Sequence, residues 1–146
     1  MTVYNEGDIN SSKRGTGARA NKGKIALSLV PLHLLAGVAR IFMSGKIKYA
    51  PWNWAKGMAY STAFDCTLRH LIKWFYCRED LDPESGESHL DHAITNLLML
   101  KHYSLTYKEG DNRPDADMTL FPDFLVDLNT PFDEEAYLER TNVKKV

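Results

Sequence analysis

The chain has 146 residues, 44% of them hydrophobic and 25% charged, with a formal net charge of −1. These values describe one compact, ordinary globular domain, and they exclude a membrane-spanning protein because the longest apolar runs are far too short to cross a bilayer. The first residues lack the charged-then-apolar pattern of a secretory signal, so the expected setting is reducing and cytoplasmic.

Cys66 and Cys77 fit that setting. Eleven residues apart on one helix, their Cα atoms would be about 16 Å apart, beyond disulfide reach. The small net charge hides an asymmetry. Residues 1–57 hold nine Lys+Arg against two Asp+Glu, whereas residues 58–146 hold nine against seventeen. A basic segment leading an acidic body suits a metal with a phosphate. Two solvated tails of opposite sign would give the same balance.

Residues 1–18 are polar and rich in Gly, Ser and basic side chains, and read as a mobile tail. "ARANKGK" then groups Arg19, Asn21, Lys22 and Lys24 around Gly23, which permits close approach of an anion but lacks the spacing of a P-loop. Pro31 suits the first turn of a helix. Residues 32–44 place Leu34, Leu35, Val38, Ile41 and Phe42 at helical spacing, and Gly45 reads as the stop.

"KIKYAPWNWAKGM" reads as a loop dense in aromatics and bases. Lys48, Lys56, Trp52, Trp54 and Asn53 form a surface that can stack a base and hold phosphate. The plain alternative is that the tryptophans pack the core. A second helix is expected over 59–77 and a third over 89–103, with Ser88 as N-cap and the acidic turn 79–88 between them. After Gly110 the chain reads as an acidic arm, in which Thr130-Pro131 and "FDEEAYLER" predict a short helix. The fold class is all-α: a compact bundle of three main helices over 19–109, with an irregular N-terminal segment and a C-terminal arm over 110–146. Its apolar faces exceed what one monomer covers, so a homo-oligomer is expected.

At 100° per residue, His89, His92 and Asn96 share one stripe of the third helix, while Asp91 points away. Antiparallel packing would bring His70, next to Arg69 on the second helix, to face them. Two imidazoles one turn apart near Glu79, Asp82 and Glu84 suit Mn²⁺, Zn²⁺, Co²⁺ or Fe²⁺, and a carboxylate-rich set suits Mg²⁺. Hydrogen-bonded core histidines and acids favoured by a helix N-terminus are the plain alternative.

Several stretches in order, "GKIALSLVP", "GVARIFMSGKIKYAPWNWAKGM" and "LRHLIKWFYCREDLDPESGESHLDHAITNLLML", resemble the phage-associated dATP/dGTP diphosphohydrolase N-terminal family. The resemblance covers roughly residues 19–103. That family is similar to the MazG-like all-α pyrophosphatases, which cut a nucleoside triphosphate between its α- and β-phosphates with Mg²⁺ or Mn²⁺. The wider group holds its metal on a Glu-Glu-x-x-Glu helix followed by Glu-x-x-Asp. Here the first helix has no acid, and Arg69-His70 and His89-x-x-His92 stand near the expected positions.

The resemblance therefore implies hydrolysis of dGTP or dATP to the monophosphate and pyrophosphate. It implies a divalent metal, Mg²⁺ or Mn²⁺ ahead of Zn²⁺ or Co²⁺, on His70, Glu79, Asp82, His89 and His92. Glu84 or a metal-bound hydroxide would position the attacking water, His70 would be catalytic as well as a ligand, and Asn96 would orient a ligand or the sugar. Arg19, Lys22, Lys24 and Lys48, with Asn21, Lys56 and Arg69 nearby, would neutralise the triphosphate. Asn53 with Trp52 or Trp54 would contact the base. The expected partner is a nucleotide, with neither a membrane nor a stable nucleic-acid partner. The rival functions are a nucleotide-binding module without turnover and a single-stranded nucleic-acid binder. A histidine–aspartate phosphohydrolase is weaker, since Asp91-His92 reverses the needed order.

Overall fold

The computed structural model describes residues 7–115 and 128–141. Parts of the expected tail and arm, residues 1–6, 116–127 and 142–146, lie outside them. The described residues form α-helices and short 3-10 turns without a β-strand, so the protein is all-α. No helix among them is long and apolar enough to cross a membrane. The chain divides into two units, residues 1–111 and 112–146.

In the first unit, Pro31 precedes a 3-10 turn, Leu32–Leu35, that runs directly into α1, Ala36–Lys48. Gly45 lies inside α1 and does not end it. A glycine weakens a helix interior by only about 1 kcal/mol relative to alanine. The helix stops at Tyr49, whose N–H donates to the Gly45 carbonyl at 3.0 Å. Pro51 follows two residues later and steers Ala50 away from helical backbone.

Helix α2, Tyr60–Phe75, lies within the expected span, and α3, His89–Thr106, runs three residues past its expected end. Ser88 caps α3, its Oγ accepting from the Leu90 N–H at 3.1 Å. The end of α2 is sharper than a simple fray. Arg78 adopts φ 54°, the left-handed conformation that closes helices. The chain then doubles back, and the Glu79 N–H donates to the Lys73 carbonyl at 3.1 Å.

Helix α2 packs chiefly on α3, and two hydrogen bonds show the packing to be antiparallel. Tyr60, at the start of α2, donates its hydroxyl to the carbonyl of Tyr103 near the end of α3, at 2.8 Å. His70, near the end of α2, meets His89 at the start of α3, also at 2.8 Å. Small side chains, Ala63 and Ala93, sit buried in this unit and allow close approach. Tyr103 is fully buried, and its hydroxyl donates to the Trp54 carbonyl at 2.6 Å. The Trp54 ring wedges between α1 and α3, with ring centroids 5.3 Å from Phe42 and 5.1 Å from His102.

In the second unit, α4 covers Glu134–Thr141. It carries acids in its first turn as the sequence predicts, and Asp133 supplies the cap by accepting from the Ala136 N–H at 3.0 Å.

Gly57 has φ 103°, and a Cβ there would lie 2.5 Å from the Tyr107 ring. Backbone strain and overlap act together, so Gly57→Ala should destabilise the protein by roughly 2 kcal/mol or more. Urea unfolding of the two proteins, followed by circular dichroism, measures the difference.

Candidate functional site

The polar cluster begins with a ring that has no exposed surface. His89 is 0% exposed. Its Nε2 lies 2.8 Å from Glu79 Oε1, and its Nδ1 lies 2.8 Å from His70 Nδ1. The His92 ring stacks on His70 with centroids 4.4 Å apart and planes 6° from parallel. On its outer edge, His92 Nε2 meets Ser85 Oγ at 2.7 Å and approaches Asp82 Oδ2 at 3.6 Å.

The acidic loop is held as tightly as a helix terminus. The Asp82 N–H donates to the Glu87 carbonyl at 2.8 Å, the Gly86 N–H returns to the Asp82 carbonyl at 2.7 Å, and Gly86 has φ 73°. Asp82 Oδ2 accepts from the Ser85 N–H at 3.1 Å. Two pairs tie this loop to α1. Arg40 grips Glu87 through both carboxylate oxygens, at 2.5 and 3.0 Å. Lys48 pairs with Glu84 at 3.0 Å.

Between α1, α2 and the loop lies a cavity of about 620 Å³. Lys48, Arg69 and Lys73 line it with positive charge. Asp82, Glu84 and Ser85 line its loop side, and His70 and His92 its floor. Burial lowers the His70 pKa to about 4, with His92 and His89 adding to the effect. Burial lowers the His92 pKa as well, against the opposing pull of Asp82. Both rings are thus neutral at neutral pH. Burial alone would raise the Asp82 pKa, but hydrogen bonds from the Ser85 backbone and side chain, with the neighbouring imidazoles, bring it below the usual carboxylate range.

All five side chains expected to ligate a metal, His70, Glu79, Asp82, His89 and His92, stand in this one cluster. Their arrangement does not fit a resident metal ion. Both nitrogens of His89 are engaged with protein partners, and a ligating imidazole needs one free lone pair. Among the described residues, no group of three or more His, Cys, Asp or Glu is disposed to hold one.

The other expected site residues divide. Lys48, Arg69 and Glu84 line the cavity. Asn96 turns back on its own helix, donating to the His92 carbonyl at 2.8 Å. Trp52 and Trp54 line a second, apolar cavity of about 510 Å³ together with Phe42 and Lys46. The α1 residues that line it, Ala39, Phe42, Met43 and Lys46, centre on the face opposite Ser44 and Lys48, which line the first cavity. Asn53 sits in the 3-10 turn Asn53–Lys56 beside that second cavity, and Lys56 is exposed. Arg19, Asn21, Lys22 and Lys24 are exposed, outside the lining of either cavity.

Arg40, Lys73 and Ser85 are additions to the expected set. Lys73 follows Arg69 and His70 by one helical turn, a spacing that marks it. Nothing in the sequence marks Arg40 or Ser85. Asp91 is half-buried, its carboxylate lying where a Cβ at Gly37 would be. The acid thus sits against the first turn of α1, where the helix dipole favours it.

Fold and site together define an all-α domain whose paired helix ends hold an imidazole–carboxylate cluster beside a cationic cavity. The chain matches the family described as dATP/dGTP diphosphohydrolase, N-terminal, over residues 14–113, and belongs to that family. It is 30% identical over 102 residues to a dATP/dGTP diphosphohydrolase of Salmonella phage PMBT28, a match that covers 70% of this chain and 32% of that relative. The chain thus spans about a third of the relative's length. No solved structure matches.

The neutral imidazoles set a pH dependence. The unfolded chain binds protons on these histidines near pH 6.5, whereas folded His70 does so only near pH 4. Their contribution to stability is therefore complete above about pH 6.5 and falls as pH drops toward 4. Urea unfolding at pH 7, 6 and 5 should show this decline, and His70→Gln should flatten it.

Proposed function

We propose that the chain binds a purine deoxynucleoside triphosphate, dGTP or dATP, in the larger cavity and hydrolyses it to the monophosphate and pyrophosphate. The observation that carries this reading is the cavity itself. Three cations, Lys48, Arg69 and Lys73, converge there beside two neutral imidazoles and two carboxylates. Hydrolysis at phosphorus builds negative charge on phosphate oxygens, and fixed cations stabilise it. A divalent cation, Mg²⁺ or Mn²⁺, enters as the substrate's own complex, and Asp82 and Glu84 are the carboxylates nearest its path. The substrate named for the phage relative supports the choice of nucleotide.

Lys48 and Glu84 pair with each other across the cavity, with side chains 62% and 78% exposed. An exposed pair of this kind is weak, so substrate phosphate displaces Glu84 from Lys48 at little cost.

We also infer a homo-oligomer. Phe64, Leu68, Leu71, Ile72 and Phe75 form one exposed apolar stripe along α2, away from Arg69 and Lys73. Burying it against a second copy would take this apolar surface out of water. Light scattering on the purified protein should give at least twice the 16.6 kDa chain mass, and a monomer at micromolar concentration overturns the inference.

The activity test is incubation with each deoxynucleoside triphosphate in Mg²⁺, Mn²⁺, Zn²⁺ and Co²⁺, with nucleotide products separated. The expected products are dGMP or dAMP and pyrophosphate. Binding without any monophosphate in all four metals favours a non-catalytic nucleotide module instead. Lys73→Ala should raise KM roughly ten-fold, the loss of one charge-assisted phosphate contact.

A further inference from the structure

We propose that Glu79 and His89 are positioning residues that hold His70 in one tautomer, so that its bare Nε2 takes the proton of the attacking water. The proposal rests on the hydrolase reading above.

Its direction follows from what each atom can donate. An ionised carboxylate only accepts. His89 Nε2, at 2.8 Å from Glu79 Oε1, must therefore carry the proton of that bond. We take His89 as the neutral imidazole, whose one N–H is spent on Glu79, which leaves its Nδ1 as an acceptor. The 2.8 Å contact between the two Nδ1 atoms then requires His70 to donate. His70 keeps its lone pair on Nε2. Tautomer control by a hydrogen bond to the other ring nitrogen is a general property of imidazoles.

Position agrees with this chemistry. The structure gives His70 Nε2 no protein partner, and among the described residues no buried side-chain nitrogen or oxygen lacks one. The atom is therefore open to solvent, and His70 lines the cationic cavity. Stacking against His92, nearly parallel at 4.4 Å, fixes the ring plane. Arg69 and Lys73 flank His70 on α2 and line the same cavity. A phosphate held by them is within reach of a water on His70.

In the step, the water oxygen forms a bond to the α-phosphorus as its proton passes to His70 Nε2. The bond from that phosphorus to the bridging oxygen breaks, and its electron pair leaves with pyrophosphate. His70 is then an imidazolium whose Nδ1–H still donates to His89. The Glu79 carboxylate stabilises this charge through His89, and the proton returns to solvent through the cavity.

Two measurements test the proposal. The first is ¹⁵N NMR of histidine-labelled protein near pH 7, which does not depend on turnover. The expected spectrum shows His70 protonated at Nδ1 and bare at Nε2, and Glu79→Gln disturbs that state. The second is kinetics on folded variants, with folding verified by thermal melts. His70→Gln should lower kcat by roughly 10²- to 10⁴-fold. Glu79→Gln should lower kcat by about 10- to 100-fold while KM stays within about two-fold. A His70 protonated at Nε2, or a Glu79→Gln variant with wild-type kcat, overturns the relay. Absence of any hydrolysis by the wild type overturns the hydrolase reading and with it the catalytic role of His70, while the tautomer spectrum separately decides whether Glu79 and His89 fix its tautomer.

Discussion

The complete burial of the His89 imidazole is the constraint around which the domain is arranged. A buried ring nitrogen without a partner costs about 1–3 kcal/mol, so both must be matched. Three backbone devices supply the matching. Arg78 takes left-handed backbone and turns the chain so that Glu79 comes back over the end of α2. The His89 N–H donates to the Asp80 carbonyl at 3.0 Å, which joins that turn to the start of α3. Ser88 caps α3 and sets its first residue. The register between α2 and α3 is thereby tied to a polar contact as well as to apolar packing. A slip of one residue would rotate His89 by 100° and leave Glu79 and His70 without it.

How much of this was legible in the sequence depends on the kind of fact. Helical period placed His89 and His92 on one stripe, and the short acidic connection implied antiparallel packing with His70 opposite. Both hold, and they bring the five expected ligand residues into one cluster. Which atom bonds which was not legible. Both ring nitrogens of His89, which looked available to a metal, are engaged with His70 and Glu79, because a helical wheel gives directions and not partners. The same limit explains Asp91. Its angle away from the stripe was right, but a helix in a three-helix domain has more than one covered side, and α1 lies there. Asn96 shares the stripe yet turns to its own backbone, a competition that short amides often enter.

The aromatic segment shows a different limit. Composition marked Trp52, Asn53 and Trp54 as a surface for a base, and composition carries no information about which side of α1 the segment occupies. Trp54 is a wedge between α1 and α3, and Trp52, at φ 62° and 74% exposed, borders the apolar cavity. One helix thus separates an apolar pocket from a charged one. The charge asymmetry of the chain resolves in a similar way. Part of the basic half and part of the acidic half meet between α1 and the acidic loop as Arg40–Glu87 and Lys48–Glu84.

Those two pairs differ in a way that bears on how the cavity works. Glu87 is only 17% exposed and is held through both oxygens by Arg40, so this pair has the geometry that makes an ion pair persistent. The Lys48–Glu84 contact is single and wide open to water. The loop is therefore anchored at Glu87, beside the helix cap, and loosely held at Glu84, where the cavity opens. The anchored base keeps Ser85 and Asp82 against His92. Lys48, Arg69 and Lys73 thus line the cavity as its positive charges, beside His70 and His92, which are neutral at neutral pH. All of these groups lie within residues 14–113, the stretch shared with the family, and all belong to the first of the two units. The imidazole–carboxylate cluster and the cationic cavity therefore share one scaffold, built from two helix ends and the loop that joins them.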